Sequence, residues 1–216
     1  MKAVIFDFNG TMVFDDKFHE KAWRTFFSET LGREITDREF ADNAHGKTTE
    51  DILAYFLGRK IDKSEIDTLE EEKESIYRRL CLESKDYTLV KGLEDFLCCL
   101  SANNIPFTIA TSSALPNLKF FFCYFGLDRW FDIEKVAYND GTINGKPAPD
   151  IYLKATEKLG VNIQDCTVFE DAKSGIESAF SAKAGTIICV GDKVSEETLC
   201  KNGVSKVISD YTDIII

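Results

Sequence analysis

Four short segments of this 216-residue chain carry side chains whose types suit one kind of chemistry. Lys2-Ala-Val-Ile-Phe-Asp7 is an apolar run ending in a carboxylate, followed by Asn9 and a Gly10-Thr11 break. Phe107-Thr-Ile-Ala-Thr111 runs into Ser112 and Ser113, a strand pattern ending in hydroxyls. Asn144-Gly-Lys146-Pro places one lysine ahead of a proline-marked helix start, and Thr167-Val-Phe-Glu170-Asp171 ends in adjacent carboxylates. A strand-end aspartate or serine alone is commonplace and usually makes only a turn bond, whereas four such sites in order form a pattern. Asp7 and Asp171 offer the hard oxygens that Mg²⁺ takes, one or two carboxylates completed by water and phosphate oxygens. Thr111 and backbone amides can donate to phosphoryl oxygens, and Lys146 can neutralise charge developing in transfer. Asp7 can attack phosphorus to give an aspartyl-phosphate.

These side chains can cooperate only if their segments end at one edge of a sheet. Residues Ala3–Phe6, Phe107–Ala110, Thr167–Phe169 and Thr186–Val190 read as buried strands, with a weaker one at Lys206–Ile208. Helical patterns cover Gly92–Ala102, Asn117–Phe125, Pro149–Leu159 and Ser174–Ala182. The alternation predicts right-handed βαβ units, hence an α/β fold with a doubly wound parallel sheet. Such sheets bind ligands beyond the C-terminal ends of their strands, which is where the polar residues fall. Residues 16–87 break the rhythm with amphipathic helical patterns, including the charged Lys63–Leu82, and no strand pattern. The expected organisation is an α/β core of 1–15 and 88–216 with an all-helical cap domain of 16–87. Within the latter, Thr68–Arg79 reads as a solvated face carrying i,i+4 ion pairs.

A formal net charge of −11 argues against a nucleic-acid or anionic-membrane partner. A small anionic substrate remains compatible, because a metal ion and local lysines override the global sign. Seven cysteines without zinc-type spacing read as buried, reduced thiols of a cytoplasmic protein. Met1 leads directly into a strand bearing Asp7, which does not read as a signal peptide, and no apolar run approaches the roughly 20 residues of a membrane span. A monomer or weak homodimer is expected.

The four segments resemble the four signature motifs of the haloacid dehalogenase (HAD) superfamily, whose opening motif reads Asp-x-Asp-Gly-Thr/Val, and the order extends over nearly the whole chain. A helical insertion after the first motif is similar to the β-phosphoglucomutase-like branch. Val13-Phe-Asp-Asp-Lys-Phe-His19-Glu-Lys-Ala-Trp23 resembles that branch's hinge, and Ala44-His45-Gly46-Lys47-Thr-Thr49-Glu-Asp51 its cap substrate loop. The resemblance implies a HAD-like Rossmannoid core with Asp7 as nucleophile and Thr111 and Lys146 orienting the transferring group. It implies Mg²⁺ bound by Asp7, Asp171 and the backbone carbonyl of Asn9, with Glu170 in the metal's shell. It places Ser112, Ser113, His19, His45, Gly46, Lys47 and Thr49 toward the substrate.

Two departures bear on activity. The family's second motif aspartate protonates the leaving oxygen and later activates water; Asn9 stands there and carries no transferable proton. Either another acid serves, His19 or His45 being the chain's histidines, or the substrate has a good leaving group, or the residue is an engineered change. The mutase branch also grips a distal phosphate with an arginine where this chain has Thr49, with Lys47 nearby as a point charge. The expected function is a Mg²⁺-dependent phosphatase or phosphotransferase acting on a small phosphorylated metabolite, by resemblance a sugar phosphate. The alternatives are a β-phosphoglucomutase-type mutase, a phosphometabolite-binding pseudoenzyme with weak turnover, and a metal-independent haloacid dehalogenase. Against the last, clustered carboxylates gain little from a site that holds no cation.

Overall fold

The computed structural model describes residues 1–44, 47–212 and 214. In chain order the elements are β1 (Ala3–Phe6), α1 (Asp16–Leu31), α2 (Asp37–Asn43), α3 (Thr49–Leu57), α4 (Lys63–Glu83), α5 (Leu93–Ala102), β2 (Phe107–Ala114) and α6 (Leu115–Phe125). They continue with β3 (Ala137–Asn139), α7 (Asp150–Leu159), β4 (Cys166–Glu170), α8 (Lys173–Ser181), β5 (Thr186–Val190), α9 (Glu196–Lys201) and β6 (Lys206–Ile208). The residues group into two compact units, Met1–Phe14 with Thr88–Ile216, and Asp15–Tyr87.

The first unit is an α/β fold. Among the described residues its sheet has six parallel strands in the order β3-β2-β1-β4-β5-β6. The chain winds outward from β1 through β2 to β3, then returns to place β4 on β1's other side. That reversal is the topological switch point, so β1 and β4 end beside each other where a doubly wound sheet opens a crevice. Every residue of β1 is buried, because both of its faces are covered. Ala3 and Ile5 face one layer with Val168, Ile187 and the apolar sides of α7 and α8, including Ile151, Ala155, Ile176 and Ala179. On the opposite face Phe6 stacks on Phe169 at 5.2 Å and meets Phe96 of α5 edge-on at 6.0 Å.

The strand β3 was not expected from the sequence. It has only three residues, and Tyr138-Asn-Asp-Gly141 carries turn signals that mask it. β2 also runs on to Ala114 through an irregular register at Thr111–Ala114, beyond the expected Ala110. The cysteines need a correction: Cys81, Cys166 and Cys189 are buried free thiols, but Cys98, Cys99, Cys123 and Cys200 are exposed. The reason is helical period. In α5 the buried side chains are Leu93, Phe96, Leu97 and Leu100, spaced i, i+3, i+4 and i+7, so Cys98 and Cys99 turn outward.

The second unit, described by itself, is helical. Its core is aromatic, with Trp23 stacked on Phe27 at 5.3 Å and Phe27 on Phe56 at 4.3 Å. Three of its helices start on side-chain caps: Thr36, Thr48 and Asp62 accept from the backbone N–H groups of Glu39, Asp51 and Glu65. Among the described residues no helix is long and apolar enough to cross a membrane.

Candidate active site

Asp7 follows the last residue of β1, and its backbone N–H continues the ladder by donating to Phe169 O of β4 at 3.0 Å. This bond fixes the strand tip beside the end of β4, where Glu170 and Asp171 lie. Asp7, Glu170 and Asp171 are all buried, and each offers a carboxylate oxygen within 4.8 Å of the others. Three buried carboxylates repel one another and lose hydration, so the arrangement requires cations.

Lys146 supplies one. Its ammonium donates to Asp7 Oδ1 at 2.6 Å and also to Glu170 Oε1, and its side chain is only 8% exposed. Burial works against that charge, but the two carboxylates outweigh it and hold the ammonium above its usual range. Even so, burial pushes the Asp7 carboxyl well above the ordinary aspartate range; Lys146 opposes this, and Glu170 and Asp171 reinforce it. Three carboxylates meet at one Lys146 ammonium, more negative charge than that single cation offsets. A hard divalent cation with oxygen ligands fits this donor set and this charge.

Glu170 is saturated by its surroundings. Oε1 accepts from Lys146 and from Tyr152 OH at 2.9 Å, while Oε2 accepts from the backbone N–H groups of Asp171 and Ala172 at 2.9 and 3.0 Å. A carboxylate has about four lone-pair positions, so this one acts as an anchor for Lys146 and the β4–α8 turn. Gly175 makes the packing possible, since a Cβ there would lie 1.7 Å from Glu170 Oε1. Asp171 accepts from Thr11 Oγ1 at 3.3 Å on Oδ1 and from Lys193 Nζ at 3.2 Å on Oδ2.

The turn after β1 is equally tight. Gly10 has φ +81°, and a Cβ on it would sit 2.0 Å from Asp171 Oδ2, so a side chain cannot stand there. Asn9 precedes it, and its Oδ1 accepts from Ser113 Oγ at 2.8 Å. The backbone N–H of Ser113 in turn donates to Thr111 Oγ1 at 3.1 Å, so the ends of β1 and β2 are tied through these three polar residues. Ser112 is exposed.

The remaining candidates lie in the helical unit. His19 stacks on Tyr77 at 4.0 Å, its Nδ1 meets Lys73 Nζ at 3.1 Å, and its Nε2 faces Asp15 Oδ2 at 3.5 Å. An ammonium has only donors, so Nδ1 accepts and the ring proton sits on Nε2, toward Asp15. Thr49 donates its hydroxyl to Glu70 Oε1 at 3.1 Å, and Lys47 is exposed. His45 and Gly46 lie outside the described residues.

Three participants escaped the reading of the sequence. Thr11 sat inside the first motif as a mere strand breaker, and Tyr152 followed the apolar period of α7. Lys193 lies just past β5, and asking what each strand end carries would have found it.

A family model for haloacid dehalogenase-like hydrolases matches residues 1–183. The chain is similar to a HAD hydrolase of family IA, variant 3, from Entamoeba histolytica, whose crystal structure superposes with a TM-score of 0.93 at 40% identity, covering 100% of this chain and 96% of the other. The β-phosphoglucomutase of Bacillus subtilis is 30% identical over 221 residues, 98% of this chain and 92% of that protein. A phosphorylated carbohydrates phosphatase of Thermotoga maritima is 29% identical over 190 residues, 84% of this chain and 82% of that protein.

Proposed function

The chain belongs to the haloacid dehalogenase-like hydrolases, and from that premise we propose that it is a Mg²⁺-dependent phosphatase that passes a phosphoryl group through Asp7. The observation that carries this reading is the buried Asp7–Glu170–Asp171 cluster with Lys146 bridging Asp7 and Glu170. Phosphorylated sugars are the substrate class that the names of its relatives favour.

Asp7, Asp171 and the backbone carbonyl of Asn9 would hold the cation, and Glu170 adds its charge while keeping Lys146 in place. The cation's contribution is to offset the charge of the phosphoryl oxygens and of the developing leaving group. An Asp7 oxygen attacks phosphorus; the new O–P bond forms as the bond to the leaving oxygen breaks and its electron pair departs with that oxygen. Lys146 and Thr111 orient the transferring group, and Lys146 neutralises its developing charge. Water then attacks phosphorus, releasing inorganic phosphate and restoring the carboxylate.

Asn9 shapes which substrates turn over. Its carboxamide, seated on Ser113, offers hydrogen bonds but no proton for the leaving oxygen. Substrates with good leaving groups, such as acyl phosphates, are therefore favoured over sugar phosphates. Hydrolysis is placed ahead of mutase transfer because Thr49 has no guanidinium to grip a second phosphate, and its hydroxyl is engaged by Glu70.

The test is hydrolysis of acetyl phosphate and p-nitrophenyl phosphate with and without Mg²⁺. Turnover should require Mg²⁺ and vanish in Asp7→Asn and Asp171→Ala. Undiminished turnover in Asp171→Ala would remove the metal from the reading, and absence of turnover with both substrates would leave only phosphate binding.

A further inference from the structure

The cluster has a second cation that differs from Lys146 in where it comes from, how exposed it is and how many carboxylates it meets. Lys146 reaches it from the segment after β3, is 8% exposed and bonds to two carboxylates. Lys193 comes from the other side of the sheet order, just beyond β5, is 43% exposed, and meets Asp171 Oδ2 at 3.2 Å. A half-exposed lysine on a flexible four-carbon stem is a point charge that shifts at little cost, whereas a buried double ion pair is fixed. Lys193 also bonds to a carboxylate that the reading above gives to the metal. An ammonium and a divalent cation on one carboxylate repel each other, so occupation of Asp171 by one disfavours the other.

We propose that Lys193 shares Asp171 with the metal: without a cation its ammonium rests on Asp171, and when a divalent cation takes that carboxylate the ammonium passes to the phosphoryl oxygens of the bound anion. This rests on the phosphoryl-transfer reading and adds a binding role outside the four motif segments. Two consequences follow from the charge. Lys193 weakens binding of the cation alone, because the cation must displace it. It strengthens binding of phosphate once the cation is in place. Cation and anion therefore reinforce each other, and by linkage the effect is reciprocal.

The test uses calorimetric binding of Mg²⁺, with and without inorganic phosphate, to the full chain and to Lys193→Met. In Lys193→Met, Mg²⁺ alone should bind about fivefold or more tightly than in the parent, since effects between linked sites span roughly 5–150-fold. Phosphate in the presence of Mg²⁺ should bind more weakly, so the factor by which each ligand improves the other shrinks. Lys193→Arg, which keeps the charge, should stay close to the parent. Equal or weaker Mg²⁺ binding in Lys193→Met overturns the proposal, as does a Lys193→Arg that behaves like Lys193→Met, because packing and not charge would then be at work. A parent chain that binds no Mg²⁺ even with phosphate present overturns the Mg²⁺-dependent reading itself, and this inference with it.

Discussion

At the residue scale, the proposed chemistry turns on Asn9. Its Oδ1 takes a hydrogen bond from Ser113 at 2.8 Å, so the carboxamide is built into the polar link between β1 and β2. A carboxylate fits the same space and accepts the same bond, so Asn9→Asp should preserve the fold. It would restore a proton carrier, and general acid–base help is worth roughly 10²–10⁴ in rate. Sugar-phosphate turnover should rise by about that factor in Asn9→Asp, measured as released phosphate, while acetyl phosphate changes far less. The unaltered protein should also accumulate a long-lived adduct on Asp7, seen as a mass gain of one phosphoryl group, because the water that clears it lacks a base. Equal rates for both substrates in both proteins would place proton transfer elsewhere.

At the scale of elements, the site depends on a turn that only glycine can make. Gly10 links β1 to the Thr11 hydroxyl that meets Asp171, with φ +81° and no room for a Cβ. Gly10→Ala combines a left-handed backbone, which costs a β-carbon about 1–3 kcal/mol, with displacement of Asp171. Stability by urea denaturation should fall by at least roughly that amount, since the clash with Asp171 adds to it. Mg²⁺ binding should weaken more than global unfolding accounts for, because the clash falls on a proposed ligand. Loss of stability with unaltered Mg²⁺ affinity would separate the turn from the site.

At the scale of the molecule, the buried carboxylates are a liability that a bound cation relieves. Like charges sit within 4.8 Å of one another, and burial already pushes Asp7 up. Mg²⁺ should therefore raise the melting temperature relative to chelator. A ligand at about 100 times its Kd stabilises by roughly 2.7 kcal/mol. Asp171→Asn should abolish the Mg²⁺ response, since the site then loses a charged ligand. A melting temperature indifferent to Mg²⁺ in the parent chain would contradict the proposed metal role.

The α/β class and the strand tips were legible in the chain, because a buried parallel strand is a largely apolar run and its end is marked by polar residues. Asp7, Thr111 and Asp171 announce themselves this way, and Lys146 by its place ahead of a proline-marked helix start. The sequence also showed a helical stretch between the first and second strands, through the change from runs to 3.6-residue periodicity. It did not show β3, whose three residues look like a turn, nor the outward side of α5 that exposes Cys98 and Cys99. The saturation of Glu170 by Lys146, Tyr152 and two backbone amides was likewise hidden, as was the bond from Lys193 to Asp171. Sequence order states which residues end a strand. Which partner meets each of their lone pairs depends on contacts between residues as far as 160 positions apart, such as Thr11 with Asp171, and those exist only once the sheet has assembled.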